Sequence, residues 1–438
     1  MKVALINLGC SKNLVDAEIM LGFMHKAGFV IKENPEGCDV AIVNTCAFIK
    51  DAKEESIDTV FSLVELKKKG RLKKIIVAGC LPQRYGRELA SLMDEVDGFL
   101  GAGNVDKIVL TINKLFVCRQ VVNIGRNHFL YKHNTPRINL TPGHYAYVKI
   151  ADGCDNLCSY CVIPQIRGRY RSRRMESIVK EVRVMADRGI KEVNLISQDT
   201  TFYGYDIYKK YALDSLLRKL VKISELKWIR LLYSHPRHLN LSTLKLIRDE
   251  PKICKYIDLP IQHINDRMLK LMERKVKAAR IKKLICDIRK LIPEAALRTT
   301  MIVGFPQETE LEFKELYEFA AKIKFERLGV FTYSAEENTT AALLKGQIPE
   351  NIKNKRRDKI MRMQQKIVEH KNSSFVGKKM EVLIDKVLNP GLAIGRTQYD
   401  APDVDGLVYV KGRDLKTGSF EKVNISDNVL YDLTGDKV

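Results

Sequence analysis

Tyr145-Ala146-Tyr147-Val148-Lys149-Ile150-Ala151-Asp152-Gly153-Cys154-Asp155-Asn156-Leu157-Cys158-Ser159-Tyr160-Cys161 is an apolar strand pattern that runs into a short polar loop of three cysteines. The spacing is C-x3-C-x2-C, with no fourth cysteine or histidine nearby in sequence. Iron–sulfur clusters are held by clustered thiolates, commonly four per cluster. A cubane held by three keeps one iron free for an outside ligand. The competing reading is part of a structural zinc site. Zinc wants four ligands, usually as two C-x2–4-C or H-x3–5-H pairs, and the second pair is missing. The loop therefore reads as an iron–sulfur site with an open position.

Upstream, residues 1–120 repeat one unit. Apolar runs at Val3–Gly9, Val40–Thr45 and Ile75–Gly79 end at Cys10, Cys46 and Cys80. Helical periodicity follows each, over 14–27, 49–66 and 85–93, and this alternation implies an open parallel α/β sheet. Ligand sites in such sheets lie beyond the C-terminal ends of the strands. Three cysteines far apart in sequence can converge there. Ser11, Asn13 and Thr45 are candidate helix caps, and helix N-termini aimed at the site would favour thiolates. Cys38 precedes its strand and belongs at the opposite edge. Cys118, Cys254 and Cys286 lie in apolar contexts and read as packing residues.

Downstream, residues 104–140 are a connector, and a longer strand–helix series follows. Strands are expected at 145–150, 191–197, 228–233, 256–260, 296–303 and 327–332, with helices between them at 175–188, 240–249, 278–291 and 308–323. Six units without a closing pair suggest a partial (β/α)6 barrel, with chemistry at the C-terminal strand ends. Those ends carry Ser197-Gln198-Asp199-Thr200, Pro260-Ile261-Gln262-His263, Gly304-Phe305-Pro306 and Thr332-Tyr333-Ser334. His235 and His263 read as hydrogen-bonded scaffold residues, and no side chain is assigned as a catalytic base. Arg167, Arg169, Arg171, Arg173 and Arg174 form a basic run near the site, read as a contact for phosphates or an acidic partner. The charged stretch from Glu350 to Lys371 reads as an amphipathic linker helix.

Length and composition frame these parts. The 438 residues suggest two to three domains, and 45% hydrophobic content supports sizeable cores. The domains are expected at 1–120, 140–370 and 373–438. No apolar run reaches the roughly 18 residues of a membrane span, and Met1–Asn7 lacks a signal-peptide core, so a cytoplasmic location with no membrane contact is expected. Ten cysteines there point to metal or redox use. The net charge of +22 suggests RNA or a ribonucleoprotein. Residues 373–438 hold nine Lys/Arg against ten Asp/Glu, so the whole surplus lies before them. Valine-rich runs and turns at Asn389-Pro390-Gly391, Asp405-Gly406 and Lys416-Thr417-Gly418 make this tail a small all-β barrel of five strands.

Leu8-Gly9-Cys10-Ser11-Lys12-Asn13-Leu14-Val15-Asp16, Asn44-Thr45-Cys46-Ala47-Phe48, Ala78-Gly79-Cys80-Leu81-Pro82 and the Cys154 loop together resemble the methylthiotransferases of the radical S-adenosylmethionine (SAM) superfamily. The resemblance covers essentially the whole chain. It implies that Cys154, Cys158 and Cys161 hold a [4Fe–4S] cluster whose free iron binds SAM, which is cleaved to a 5′-deoxyadenosyl radical. It implies a second, auxiliary [4Fe–4S] cluster on Cys10, Cys46 and Cys80, and an external electron donor. By the same resemblance Tyr160, Gln198, Gln262 and Gly304 are candidate SAM contacts, and the tail resembles a TRAM domain with a possible RNA contact. Gly395-Arg396-Thr397-Gln398-Tyr399-Asp400-Ala401-Pro402-Asp403-Val404-Asp405-Gly406 resembles the branch acting on an aspartate β-carbon of a small-subunit ribosomal protein. On this reading the acidic tail is the dock for a basic ribosomal protein. Two alternatives stand beside it: the same chemistry on a tRNA adenosine, or a non-catalytic cluster protein that binds RNA or senses redox state.

Overall fold

The computed structural model of the chain describes residues 1–126 and 128–438. Its first part is a parallel sheet of β1 (Lys2–Asn7), β2 (Val30–Lys32), β3 (Cys38–Thr45), β4 (Leu72–Gly79), β5 (Gly98–Gly101) and β6 (Val121–Asn123), in the order β2-β1-β3-β4-β5-β6. Helices Ser11–Lys26, Lys50–Lys68 and Cys80–Leu92 follow β1, β3 and β4. These three strands are the ones legible as apolar runs, and they are buried on both faces. The other three span only three or four residues each, too short for periodicity to register. Cys38 starts β3, at the sheet edge opposite Cys46.

Beyond a two-stranded ribbon of β8 (Ala151–Asp152) and β9 (Arg171–Ser172), the middle of the chain forms an open barrel. Its strands are β7 (Tyr145–Lys149), β10 (Glu192–Ile196), β11 (Trp228–Leu231), β12 (Tyr256–Asp258), β13 (Ala296–Val303) and β14 (Arg327–Thr332). They form two parallel three-stranded sheets, β7-β10-β11 and β12-β13-β14, linked by the bridge Ile229–Ile253. No pairing joins β7 to β14 among the described residues, so the barrel is partial, as expected. Two expected strands end early. The third stops at Leu231, and Tyr233 beyond it has φ +62°. The fourth stops at Asp258, before Pro260, which has no N–H for a ladder.

Alternation along these strands sorts the side chains. Ala146, Val148, Val193, Leu195, Ile229 and Leu297 pack outward against the helices. Residues of the other parity, including Tyr145, Tyr147, Trp228 and Tyr256, share a core with Val15 and Ile19 of helix Ser11–Lys26. The first helix of the N-terminal sheet thus helps to fill the barrel.

The tail is a closed five-stranded barrel of β15 (Lys379–Asn389), β16 (Leu392–Arg396), β17 (Val408–Lys411), β18 (Phe420–Val429) and β19 (Asp432–Lys437). It caps the N-terminal mouth of the central barrel. Arg396 donates to Glu192 Oε2 at 2.9 Å, and Glu192 Oε1 accepts from Arg230 at 2.9 Å. Trp228 meets Phe420 edge to face, with centroids 4.8 Å apart.

This docking corrects one expectation. Asp400 pairs with Arg327, and Asp405 accepts from Tyr256 Oη at 2.6 Å and lies 3.4 Å from Arg298 Nε. Tyr147 Oη donates to Asp403 at 3.0 Å. Asp400 and Asp405 of the acidic pattern fasten the tail to the central barrel, which leaves Asp403 as the exposed carboxylate of the three. Asp400 and Asp405 meet arginines near the starts of β13 and β14, which buried carboxylates require as partners.

Helix Glu350–Ser373 runs along β14 as the expected linker. Lys353 donates to Tyr333 O at 2.9 Å near its start, and Asn372 donates to Tyr431 O at 3.1 Å near its end. No helix among the described residues is long and apolar enough to cross a membrane.

Candidate active site

Cys10, Cys46 and Cys80 converge beyond the C-terminal ends of β1, β3 and β4. Cys10 caps helix Ser11–Lys26 and Cys80 opens helix Cys80–Leu92, so both thiols sit at helix starts, where negative charge is favoured. A Cβ on Gly9 (φ +90°) would lie 2.9 Å from Cys46 Cβ, and only glycine lets the first two loops approach this closely. Ser56 Oγ fixes the Cys46 backbone, accepting from its N–H at 3.1 Å and donating to its C=O at 3.0 Å. Burial and the neighbouring Cys80 and Cys10 thiols push Cys46 up to about 12.

The expected caps do not form. Asn13 is a buried cross-link, donating to Leu8 O at 3.1 Å and Thr45 O at 2.9 Å. Its Oδ1 accepts from Arg167 at 2.7 Å. Thr45 Oγ1 donates to Ala78 O, and Ser11 Oγ lies 3.4 Å from Tyr233 Oη. These loops crowd against one another, so their polar side chains tie loop to loop instead of closing their own helices.

Cys154, Cys158 and Cys161 lie at the C-terminal mouth of the central barrel. Ser159 pins the loop, donating from Oγ to Leu271 O at 2.7 Å and from N to Met272 O at 3.1 Å. Arg274 Nη1 lies 3.6 Å from Cys158 Sγ, and Asn156 Nδ2 lies 3.6 Å from Cys154 Sγ. Burial pushes Cys154 up to about 11 and raises Cys161 as well. Asn156 is held by Asp199, which also binds His238 at 2.7 Å and Thr201 at 2.7 Å. Burial opposes the Asp199 charge, but His238 and His235 outweigh it and hold the carboxyl at about 2. His263 pairs with Glu308 at 3.1 Å. His263 is therefore a hydrogen-bonded scaffold residue, as expected, whereas the buried Nε2 of His235 has no partner among the described residues.

A buried charge network separates the two triads. Asp16 accepts from Lys149 Nζ and Arg167 Nη1 at 2.5 Å each, and Asp152 lies 3.3 Å from Lys149. Arg167 Nη2 reaches Cys80 Sγ at 3.6 Å. Lys12 Nζ stands 2.8 Å from the centroid of the Tyr233 ring, so the Cys10 loop meets the end of β11. The arginine run is thereby corrected. Arg167 and Arg173 are buried, the latter on Glu181 at 2.6 Å, and only Arg169 and Arg174 are exposed. Of the presumed packing cysteines, Cys254 is buried, whereas Cys118 and Cys286 are exposed.

The four candidate SAM contacts differ in what they offer. Gln198 and Gln262 each have a buried Oε1 with no protein partner. Gln262 also adopts φ +68°, a left-handed conformation that non-glycine residues hold only under constraint. Tyr160 is half-buried against Met268, Met272, Phe305 and Tyr333. Gly304 has φ +69°, and a Cβ there would lie 2.2 Å from Lys353 Cγ. Its N–H already donates to Glu308 at 2.7 Å. Arg274 and Asn156, beside the cysteine sulfurs, were not singled out. Lone polar residues carry no spacing signal, and Arg274 is 113 residues or more from the loop it serves.

Residues 2–101 match the family described as "Uncharacterized protein family UPF0004", residues 148–320 the Radical SAM superfamily, and residues 376–438 the TRAM domain. The chain is 48% identical to the ribosomal protein uS12 methylthiotransferase RimO of Clostridioides difficile, over 100% of this chain and 98% of that one. It is 45% identical to the RimO of Heliobacterium modesticaldum, over 100% and 95%. The chain belongs to the RimO family of radical SAM methylthiotransferases. In fold it is similar to the radical SAM methyltransferase TsrM of Kitasatospora setae, with a TM-score of 0.56 and 12% identity over 76% of this chain and 74% of that one.

SAM and [4Fe–4S] clusters are the cofactors of this family, and the residues present suit them. Among the described residues the one donor set gathered to within 4.8 Å is Asp199, His235 and His238. Its carboxylate is already taken up by hydrogen bonds. The sulfur triads are more open, whereas a single zinc with bonds of about 2.3 Å holds its sulfurs roughly 3.8 Å apart. Thiols pushed up to about 11 and 12 are almost wholly protonated at neutral pH unless a metal claims them. Each triad therefore fits a cluster that supplies the positive charge.

Proposed function

We propose that this enzyme attaches a methylthio group to the β-carbon of an aspartate in the ribosomal protein uS12. The observation that carries this reading is 45–48% identity, end to end, with enzymes named for that substrate. On this reading Cys154, Cys158 and Cys161 hold the cluster that binds SAM, and Cys10, Cys46 and Cys80 hold the second. When bound, the clusters and SAM supply electron transfer, hydrogen-atom abstraction and the methylthio group; chemistry on an unactivated C–H bond lies beyond protein side chains. An external electron donor feeds the site, and a ribosomal substrate places the work in the cytoplasm.

The protein's own contribution is positional. Gln198 and Gln262 hold unpartnered carbonyl oxygens that would accept from the donor groups of SAM, and Tyr160 forms an apolar wall beside the loop. Gly304 serves the turn that admits Lys353. Arg274 and Arg167 keep positive charge next to sulfur. The Asp16 network holds the N-terminal sheet against the barrel.

The test is an anaerobic incubation of cluster-loaded protein with reductant and SAM, offering uS12, ribosomal subunits and tRNA separately. A methylthio mass gain on an aspartate of uS12 is expected. A gain on tRNA alone overturns the substrate, and absence of 5′-deoxyadenosine overturns the chemistry.

A further inference from the structure

Helix Glu350–Ser373 carries a feature that the cluster chemistry does not use. Lys355, Lys359, Arg362 and Lys366 are exposed at intervals of four, three and four residues, so they form one row along the helix. The row walls a groove of about 690 Å³ whose floor includes Tyr317, Met363 and Ile367. The one acid in the groove, Asp358, is paired with Arg357 at 2.9 Å. Lys359 Nζ lies 5.1 Å from the Tyr317 ring.

The row continues. At the helix end Lys371 leads into a second groove of about 370 Å³, beside exposed Lys378 and Lys379. There Phe375 and Tyr399 stack with centroids 5.9 Å apart. Of the two carboxylates in this groove, Glu326 is held by Arg289 and Lys371, which leaves Glu294. The helix spans 24 residues, about 36 Å. It runs from Lys353, at the cofactor end of β14, to Asn372, on the tail barrel.

We propose that this track binds the phosphodiester backbone of RNA and holds the enzyme on its ribonucleoprotein substrate. A regular line of exposed cations, without ion-pair partners among the described residues, with aromatic rings in the groove suits a nucleic-acid strand, whose phosphates are evenly spaced and whose bases stack. Apart from Lys378 and Lys379, which line the second groove, the tail barrel is a poorer phosphate site, because residues 373–438 carry one more acid than base. The inference takes from the functional reading only its ribonucleoprotein substrate, and binding is measured without turnover.

The experiment compares the cluster-loaded full chain with a variant carrying Lys355→Gln, Lys359→Gln, Arg362→Gln and Lys366→Gln. All four positions are exposed, so the fold should tolerate the changes. Binding of a fluorescein-labelled single-stranded RNA is titrated against salt. The slope of log affinity against log salt should become shallower by up to about 0.7 per contact, roughly 2 to 3 in all, with at least about a tenfold loss near physiological salt. An unchanged slope and affinity overturns the proposal. So does wild-type binding of polyglutamate as tight as RNA, which assigns the track to an acidic protein. With activity as a second readout, the variant should modify free uS12 normally and ribosomal subunits poorly. A wild type inactive on both counts against the uS12 reading, and the salt slope still decides the RNA track.

Discussion

On the proposed reading the two cysteine triads do the same kind of work, but they are encoded differently. Cys154, Cys158 and Cys161 share one loop, and their spacing alone announces a cluster. Cys10, Cys46 and Cys80 come from three loops and meet only because β1, β3 and β4 are parallel and adjacent. Each triad has a buried arginine within 3.6 Å of a sulfur, and each arginine comes from elsewhere in the chain. Arg274 approaches the loop triad from after helix Asp266–Leu271. Arg167, at the end of the short helix Ile163–Arg167 that follows Cys161, serves the dispersed triad. The second triad thus borrows its cation from the first domain's neighbour, and the two sites are coupled through the Asp16 network.

The largest expected effect separates the triads by chemistry. Cys158→Ala should abolish 5′-deoxyadenosine formation. Cys46→Ala should keep it and lose methylthio transfer. Iron should fall from about eight atoms per chain to about four in either case. Chromatography of the nucleoside and iron analysis read both, and loss of all iron in one variant would break the picture of two independent clusters.

Next comes their coupling. Asp16→Asn leaves Lys149 and Arg167 buried beside a weakened partner. Breaking a buried ion pair costs about 3–5 kcal/mol, against at most about 1 for an exposed pair. Denaturant midpoints should show this loss for Asp16→Asn and almost none for Glu54→Gln, which removes the exposed Lys50–Glu54 pair.

A smaller effect tests the borrowed cations. Arg274→Gln should lower the reduction potential of the loop cluster, and Arg167→Gln that of the other, each by on the order of tens of mV. Redox titration followed by electron paramagnetic resonance distinguishes them. Equal shifts of both clusters from one substitution contradict the assignment.

The smallest effect is a pH dependence confined to the loop site. Burial and the Arg274 charge hold His235 well below its ordinary value. Its folded value lies below the unfolded one, so the unfolded chain binds more protons as pH falls past about 6.5. Stability should therefore drop below that pH, by at most about 1.4 kcal/mol per unit. His235→Asn should flatten the limb in thermal melts. If the limb survives, another group is responsible.

The fold was legible where a residue's neighbours in sequence are also its neighbours in space. The six barrel strands and the strands ending at Cys10, Cys46 and Cys80 announced themselves by apolar runs, whereas Gly98–Gly101 is too short to do so. The Asp400–Asp405 pattern marked the tail correctly but was misread as an open surface. Acidic character is written in sequence; whether it faces solvent or Arg327 and Arg298 is not.

The sequence by itself therefore determined the candidate donor atoms: six cysteines, their order, and the parallel strands that carry three of them to one edge. Periodicity and spacing are local properties, and local properties survive in one dimension. Only the tertiary structure decided which charges are spent. It put Arg167 on Cys80 and Arg274 on Cys158, folded Asp400 and Asp405 into the barrel mouth, and left the Lys355–Lys366 row exposed. Burial makes an unpaired charge costly, so the fold must bring distant partners together, and that pairing is written in no single stretch of the chain.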